Sequence, residues 1–212
     1  MNRVLDILAK AMSILLYPLF VPTYGMALFC YAYARQVAYM PVIWTVVAIA
    51  GTFVLTCLLP MISIWILIKR GDVKDIQIEE GHQRTMPYLY ATVGFGCWAY
   101  LLIAILHVPI YIGLVSVGAT VGIGLVLFIN RWWKISAHLT GFGGLFGGLL
   151  SYCLGAGLIP SVGALCGWLA VSLMLMYARL RLNAHTSAQV CAGWLLGLSC
   201  TFIPYWIISY VA

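Results

Sequence analysis

The chain has 212 residues, of which 64% are hydrophobic and 8% charged, and its formal net charge is +6. A soluble globular domain carries about 25% charged residues, so this composition excludes one and indicates an integral membrane protein. In a soluble protein such a charge would suggest a nucleic-acid partner. Here the basic residues flank apolar segments, so we expect no nucleic-acid binding and interpret the charge as a signal of membrane orientation.

The apolar segments are long and continuous, without the alternation of a barrel strand, so the sequence predicts an all-α bundle of transmembrane helices. A spanning helix needs about 20 apolar residues. We predict six or seven spans in one integral membrane domain, residues 1–212, at 11–33, 42–68, 88–106, 110–129, 138–157, 161–177 and 189–211. The first contains Pro18 and Pro22, so we expect it to be kinked or split.

The polar loops at 69–87, 130–137 and 178–188 lie at one end of the predicted spans, together with the N-terminus. Every lysine and arginine except Arg35 lies at this end. The positive-inside rule therefore predicts that this face is cytoplasmic. We expect the membrane to be a bacterial inner membrane.

These loops carry a particular set of side chains: Arg84 in the first, Arg131, Lys134, Ser136 and His138 in the second, and Arg179, Arg181, His185 and Gln189 in the third. Arginine presents a fixed fork of donors that suits phosphate oxygens. Two histidines on different helices can divide a substitution, since one attacks and the other protonates the leaving oxygen. The Ser136 hydroxyl and the first N–H groups of a helix beginning there would add anion contacts. The set predicts a metal-free phosphoryl-transfer site at the membrane surface.

The third loop resembles the Ser-Arg-x5-His-x3-Asp signature of the type 2 phosphatidic-acid phosphatase superfamily, which includes the vanadium haloperoxidases. Ala178 and Arg179 stand at Ser-Arg, and His185 and Gln189 stand at His and Asp. The second loop, residues 135–138, is similar to that family's Pro-Ser-Gly-His. The first is similar to its Lys-x6-Arg-Pro, with Arg84 as the arginine and the proline displaced to Pro87. The resemblance covers residues 69–211 and leaves 1–68 as additional N-terminal spans outside the family-like core.

The resemblance implies a role for each matched residue. His185 would be the nucleophile that forms a phosphohistidine, and His138 the general acid for the leaving alcohol. Arg84, Arg179 and Ser136 would hold the phosphoryl oxygens. Gln189 would orient His185 in place of the family's aspartate.

The sequence also departs from the family pattern. Gln77 stands where the family has lysine, and Lys74, Lys134 or Arg131 is available to supply that charge. Gln189 accepts a hydrogen bond but brings no negative charge, so we expect a differently tuned nucleophile.

Two features have simpler interpretations. Arg181 is expected to anchor its helix at the membrane surface. The acidic residues Asp72, Asp75, Glu79 and Glu80 lack the spacing of a magnesium-binding box, so we interpret them as solvated loop charge and expect no metal site.

These patterns predict an integral membrane enzyme: a metal-independent, cofactor-free phosphatase acting on a phosphomonoester or diphosphate of a membrane lipid. A lipid phosphotransferase would use the same chemistry. The alternative is a non-catalytic member of the same fold that binds an anionic lipid or a partner protein.

Overall fold

The structure, a computed structural model, describes residues 3–37, 39, 41–73, 81–155 and 157–211. Within these ranges the chain is all-α and forms eight helices without a strand. In chain order they are α1 Arg3–Leu15, α2 Val21–Gln36, α3 Val42–Arg70, α4 Thr85–Ile105, α5 Ile110–Ile129, α6 Ala137–Gly155, α7 Val162–Arg181 and α8 Ser187–Val211. The predicted all-α class is confirmed for this part of the chain.

Among the described residues, five helices are long and apolar enough to cross a membrane, fewer than the six or seven spans predicted: α3, α4, α5, α7 and α8. The glycine-rich α6 is not one of them, and much of its surface is buried against other helices. A helix enclosed by protein does not need an apolar surface toward lipid, and small residues allow its neighbours to approach closely. The five helices support an integral membrane protein.

The predicted first span, 11–33, is two helices. Helix α1 ends at Leu15 and α2 begins at Val21, with a turn between them that contains Pro18. Proline lacks a backbone N–H donor and is best tolerated in the first turn of a helix, which is where Pro22 lies in α2. With 13 residues, α1 is about 20 Å long and too short to cross the roughly 30 Å hydrocarbon core.

Helices α3 and α4 pack closely although each contains a π-helical turn, at Val54–Leu58 and Leu101–Ile105. The indole Nε1 of Trp98 in α4 donates a hydrogen bond to the Thr52 hydroxyl of α3 at 2.8 Å. This bond joins the two helices inside the apolar cluster that holds Phe29, Trp98 and Tyr152.

Helices α6 and α8 pack closely along their length, and glycines on both helices allow the contact. A Cβ atom at Gly143 would collide with the backbone of Trp194, and one at Gly197 would collide with the carbonyl of Thr140. Thr201 adds a hydrogen bond from its hydroxyl to the Gly144 carbonyl at 2.9 Å. Both helices begin at the polar end of the bundle, so this packing brings the second and third polar loops together.

Replacing Gly197 with alanine should destabilise the protein, because the added methyl group meets backbone that cannot move away without separating α6 from α8. Overpacking of this kind typically costs about 1–3 kcal/mol. Thermal unfolding in detergent should show a lower midpoint for Gly197→Ala.

Gly167→Ala in α7 is the matched control, since a Cβ atom there has no neighbour within 4 Å among the described residues. It should leave the midpoint unchanged or raise it slightly, because alanine favours helix over glycine. Equal midpoints for the two variants would contradict the close α6–α8 packing.

Candidate functional site

A cavity of about 650 Å³ opens at the polar end of the bundle and continues between the helices. Its rim is formed by basic and aromatic side chains from separate elements. The ionisable or phenolic residues that line it are Lys10, Tyr17, Arg84, Tyr88, Lys134, His138, Arg179 and His185. Four predicted site residues on different elements, Arg84, His138, Arg179 and His185, therefore line the same cavity.

The two arginines come from different helix ends: Arg84 lies just before the start of α4, and Arg179 lies near the end of α7. Arg84 is the last residue of a short 3₁₀ turn before α4, is 8% exposed and donates a hydrogen bond to the Tyr88 hydroxyl. Arg179 lies in the last turn of α7, not in a loop as predicted, and its Nε has no hydrogen-bond partner within the described ranges. A buried guanidinium N–H without a partner is costly, which makes Arg179 suited to an incoming anion.

His185 is held by its Nδ1 atom. This nitrogen lies 3.1 Å from the Lys134 carbonyl oxygen and 3.2 Å from Oε1 of Gln189. A backbone carbonyl only accepts, so Nδ1 must carry the proton and donate it. In the neutral ring, Nε2 is then unprotonated, and its lone pair is available for attack on an electrophile.

Gln189 has two functions in this arrangement. Its Oε1 accepts from the Thr186 backbone N–H at 3.1 Å, while the Thr186 hydroxyl faces the Gln189 N–H at 3.4 Å. These reciprocal contacts are a capping box at the start of α8. Because the Thr186 N–H can only donate, the contact fixes which amide atom is the oxygen, and that oxygen also accepts from His185.

The pKa of His185 is lowered from 6.5 to about 4, first because burial penalises the charged ring and then because Arg179 is nearby. The hydrogen bonds to Gln189 and to the Lys134 carbonyl act in the opposite direction. An unfolded histidine binds its proton near pH 6.5. The unfolded chain thus binds more protons between pH 6.5 and 4, and acidification through this window destabilises the fold. Near neutral pH, His185 is neutral.

His138 lies in the first turn of α6, beside the end of α1 and the α1–α2 turn. Its Nε2 is 3.1 Å from the Ser13 carbonyl, so Nε2 carries a proton in this arrangement. The Tyr17 ring meets the imidazole edge-on, with centroids 5.6 Å apart and planes at 89°. These two contacts fix the ring and its tautomer.

Two predicted phosphate contacts are not in the cavity wall. The Ser136 side chain is fully buried outside the lining, and its hydroxyl has no partner in the described part of the chain. Its backbone N–H instead approaches the Gln189 carbonyl at 3.4 Å, which joins the second loop to α8. Arg131 is exposed and lines a separate shallow depression with Thr85 and Phe128. Lys134, in contrast, does line the cavity.

Part of the first loop lies outside the described residues. Gln77 and Lys74 are in this stretch, as are Asp75, Glu79 and Glu80 of the acidic set. The interpretations of these residues stay predictions.

The N-terminal segment, predicted to lie outside the family-like core, contributes to the cavity. Lys10 and Ser13 of α1 and Tyr17 of the following turn all line the cavity. Helix α1 packs on α7, and its Asp6 carboxylate lies 2.8 Å from Nε of Arg181. Arg181, predicted to be a membrane anchor, therefore pairs with the helix that covers the site. The charged residues Arg3, Asp6 and Lys10 in a helix too short to span were the available signal.

Comparison of the chain with known protein families, with curated proteins and with solved structures found no match. Chemical interpretation of the site thus depends on the residues of this chain.

Histidine NMR tests the arrangement of His185 directly. In nitrogen-labelled protein at pH 7, His185 should be neutral with its proton on Nδ1, and it should titrate near pH 4. The variant His185→Gln assigns the signal. In Gln189→Glu, which keeps the capping box and adds a negative charge, the pKa of His185 should rise.

A wild-type midpoint near 6.5, or a proton on Nε2, would contradict the burial and the hydrogen bonds described above. An unchanged pKa in Gln189→Glu would show that residue 189 does not contact His185.

Proposed function

We propose that the protein is an integral membrane enzyme that releases phosphate from a lipid phosphate without a metal ion. The observation that carries the proposal is the joint placement of His138, His185, Arg84 and Arg179 around one cavity. The resemblance of the three loops to the type 2 phosphatidic-acid phosphatases supports the same reaction.

In the proposed first step, the Nε2 lone pair of His185 attacks phosphorus, and the bond from phosphorus to the lipid oxygen breaks. The guanidinium groups of Arg84 and Arg179 neutralise the phosphoryl oxygens. His138 gives a proton to the leaving lipid alkoxide. The bound phosphate itself supplies negative charge beside His138 and so favours the protonated ring that this step needs.

In the second step, water attacks the phosphohistidine, His138 takes its proton, and inorganic phosphate leaves with His185 restored. The Nδ1–H of His185 continues to donate to Lys134 and Gln189 through both steps. Gln189 has no charge to stabilise a positive imidazole, so this nucleophile is expected to be weaker than one paired with a carboxylate. If an alcohol replaces the water, the same intermediate gives a lipid phosphotransferase.

A second candidate function is binding without turnover, of an anionic lipid or of a partner protein. The specific observation in its favour is the capping box of Gln189, because this residue stabilises the start of α8 whether or not catalysis occurs. In that case the basic cavity would retain a lipid phosphate, and no phosphoenzyme would form.

Phosphate release from a panel of lipid phosphates, in nanodiscs with EDTA, tests the proposal. The wild type should release phosphate. His138→Ala should be about 10²–10⁴-fold slower, as expected for loss of a general acid, and His185→Ala should fall to the uncatalysed background. Arg179→Gln should lose about ten- to a hundred-fold through a missing charged hydrogen bond.

Arg131→Gln is the matched control, because Arg131 is exposed outside the cavity, and it should retain activity. No release from any lipid, with tight lipid-phosphate binding, would favour the second candidate.

We also propose that the site faces the cytoplasm, since every lysine and arginine except Arg35 is predicted to lie at that end. The bacterial inner membrane remains the expected location. With a membrane-impermeant substrate, inside-out vesicles should be active and right-side-out vesicles inactive; the reverse result would contradict this orientation.

A further inference from the structure

The cavity extends far beyond the basic rim. Along one face of α4 it is lined in turn by Tyr88, Ala91, Phe95 and Trp98, beginning from Arg84 just before the helix. Trp98 lies 14 residues after Arg84, which corresponds to about 21 Å at 1.5 Å per residue. This length exceeds half the thickness of a hydrocarbon core of about 30 Å.

The inner part of the cavity presents an apolar surface, although several hydroxyl residues line it. Thr52, Thr56 and Ser116 each donate to the carbonyl four residues earlier in their own helix, at 2.7, 2.7 and 3.1 Å. The Trp98 N–H is bonded to Thr52. The other inner lining side chains include Phe29, Phe95, Val115, Ile123 and Val126. A polar ligand would find few available donors here.

The cavity has room for a hydrocarbon tail. Its volume is about 650 Å³, and its lining follows α4 for about 21 Å from the basic rim. The cluster that contains Phe29, Trp98 and Tyr152 lies at the inner end. The cavity is thus charged at its mouth and apolar at its inner end.

We propose that the inner cavity binds a hydrocarbon tail of the lipid phosphate, whose phosphate lies between Arg84, Arg179 and the two histidines. This inference rests on the proposed function for the position of the phosphate. It adds the substrate class: a phosphate monoester with a long, flexible hydrocarbon chain that enters the protein interior. Tail contacts along the cavity place the phosphorus beside His185 and select for chain length.

Two glycines on α5 allow a matched test. Gly122 lines the cavity, and a Cβ atom there would meet only Cys200, with its nearest atom at 3.6 Å. Gly124 lines the separate shallow depression, and a Cβ atom there would meet only Thr92, also at 3.6 Å. Leucine at 122 would extend into the cavity, whereas leucine at 124 would not. Ala119→Leu, one turn from Gly122, is a second variant that fills the cavity.

Binding of hexadecyl phosphate and butyl phosphate would be measured in nanodiscs for the wild type and each variant. Gly122→Leu and Ala119→Leu should weaken hexadecyl phosphate binding about ten-fold or more, because their side chains occupy the space of the tail. Butyl phosphate binding should change less than about two-fold. Gly124→Leu should behave as the wild type.

Tail position is read independently from Trp98. A hexadecyl phosphate brominated near the end of its chain should quench tryptophan fluorescence in the wild type, and Trp98→Phe should remove most of that quenching. If the lipids bind with these effects but no phosphate is released, the tail site is supported and the proposed enzymatic activity is rejected. If phosphate is released at a rate that depends neither on chain length nor on the two cavity-filling substitutions, the enzymatic activity is supported and the tail site is overturned.

Discussion

The close contact of α6 with α8 is the constraint on which the candidate site depends. Backbone meets backbone at Gly143 and Gly197, positions where no side chain fits. Since both helices start at the polar end, the contact holds the second loop against the beginning of α8. The Lys134 carbonyl then lies where the His185 ring can donate to it. The packing of α6 against α8 thereby determines the tautomer of His185.

The same packing explains the separate environments of the two histidines. His185 is oriented by acceptors from the second loop and from α8, whereas His138 is oriented by Ser13 and Tyr17 of the N-terminal segment. Each ring has one nitrogen bonded to protein. A nucleophile and a general acid need this arrangement, because each must present a defined nitrogen to the reacting group. Helix α1 is therefore part of the site and, through Asp6, is held to α7.

Much of the fold and of the candidate site could be predicted from the sequence. Loops that alternate with spans must return to the same face, so Arg84, His138 and His185 were expected together. The split at Pro18 followed from proline chemistry. The Thr186–Gln189 capping box has a signature that can be read from the sequence. The direction of the Ser136 side chain was not predictable, because it depends on packing around one rotamer. The depth of the cavity likewise depends on how several helices pack together.

The central claim is that His185 is a phosphoryl-accepting nucleophile, and trapping the phosphoenzyme tests it most directly. Protein would be mixed with a lipid phosphate, quenched in alkali within one turnover, digested and analysed by mass spectrometry for phosphohistidine. The account predicts a phosphorylated peptide that contains His185, and no such peptide from His185→Gln. Phosphate release without any phosphorylation of His185, or with phosphorylation of another residue, would contradict it.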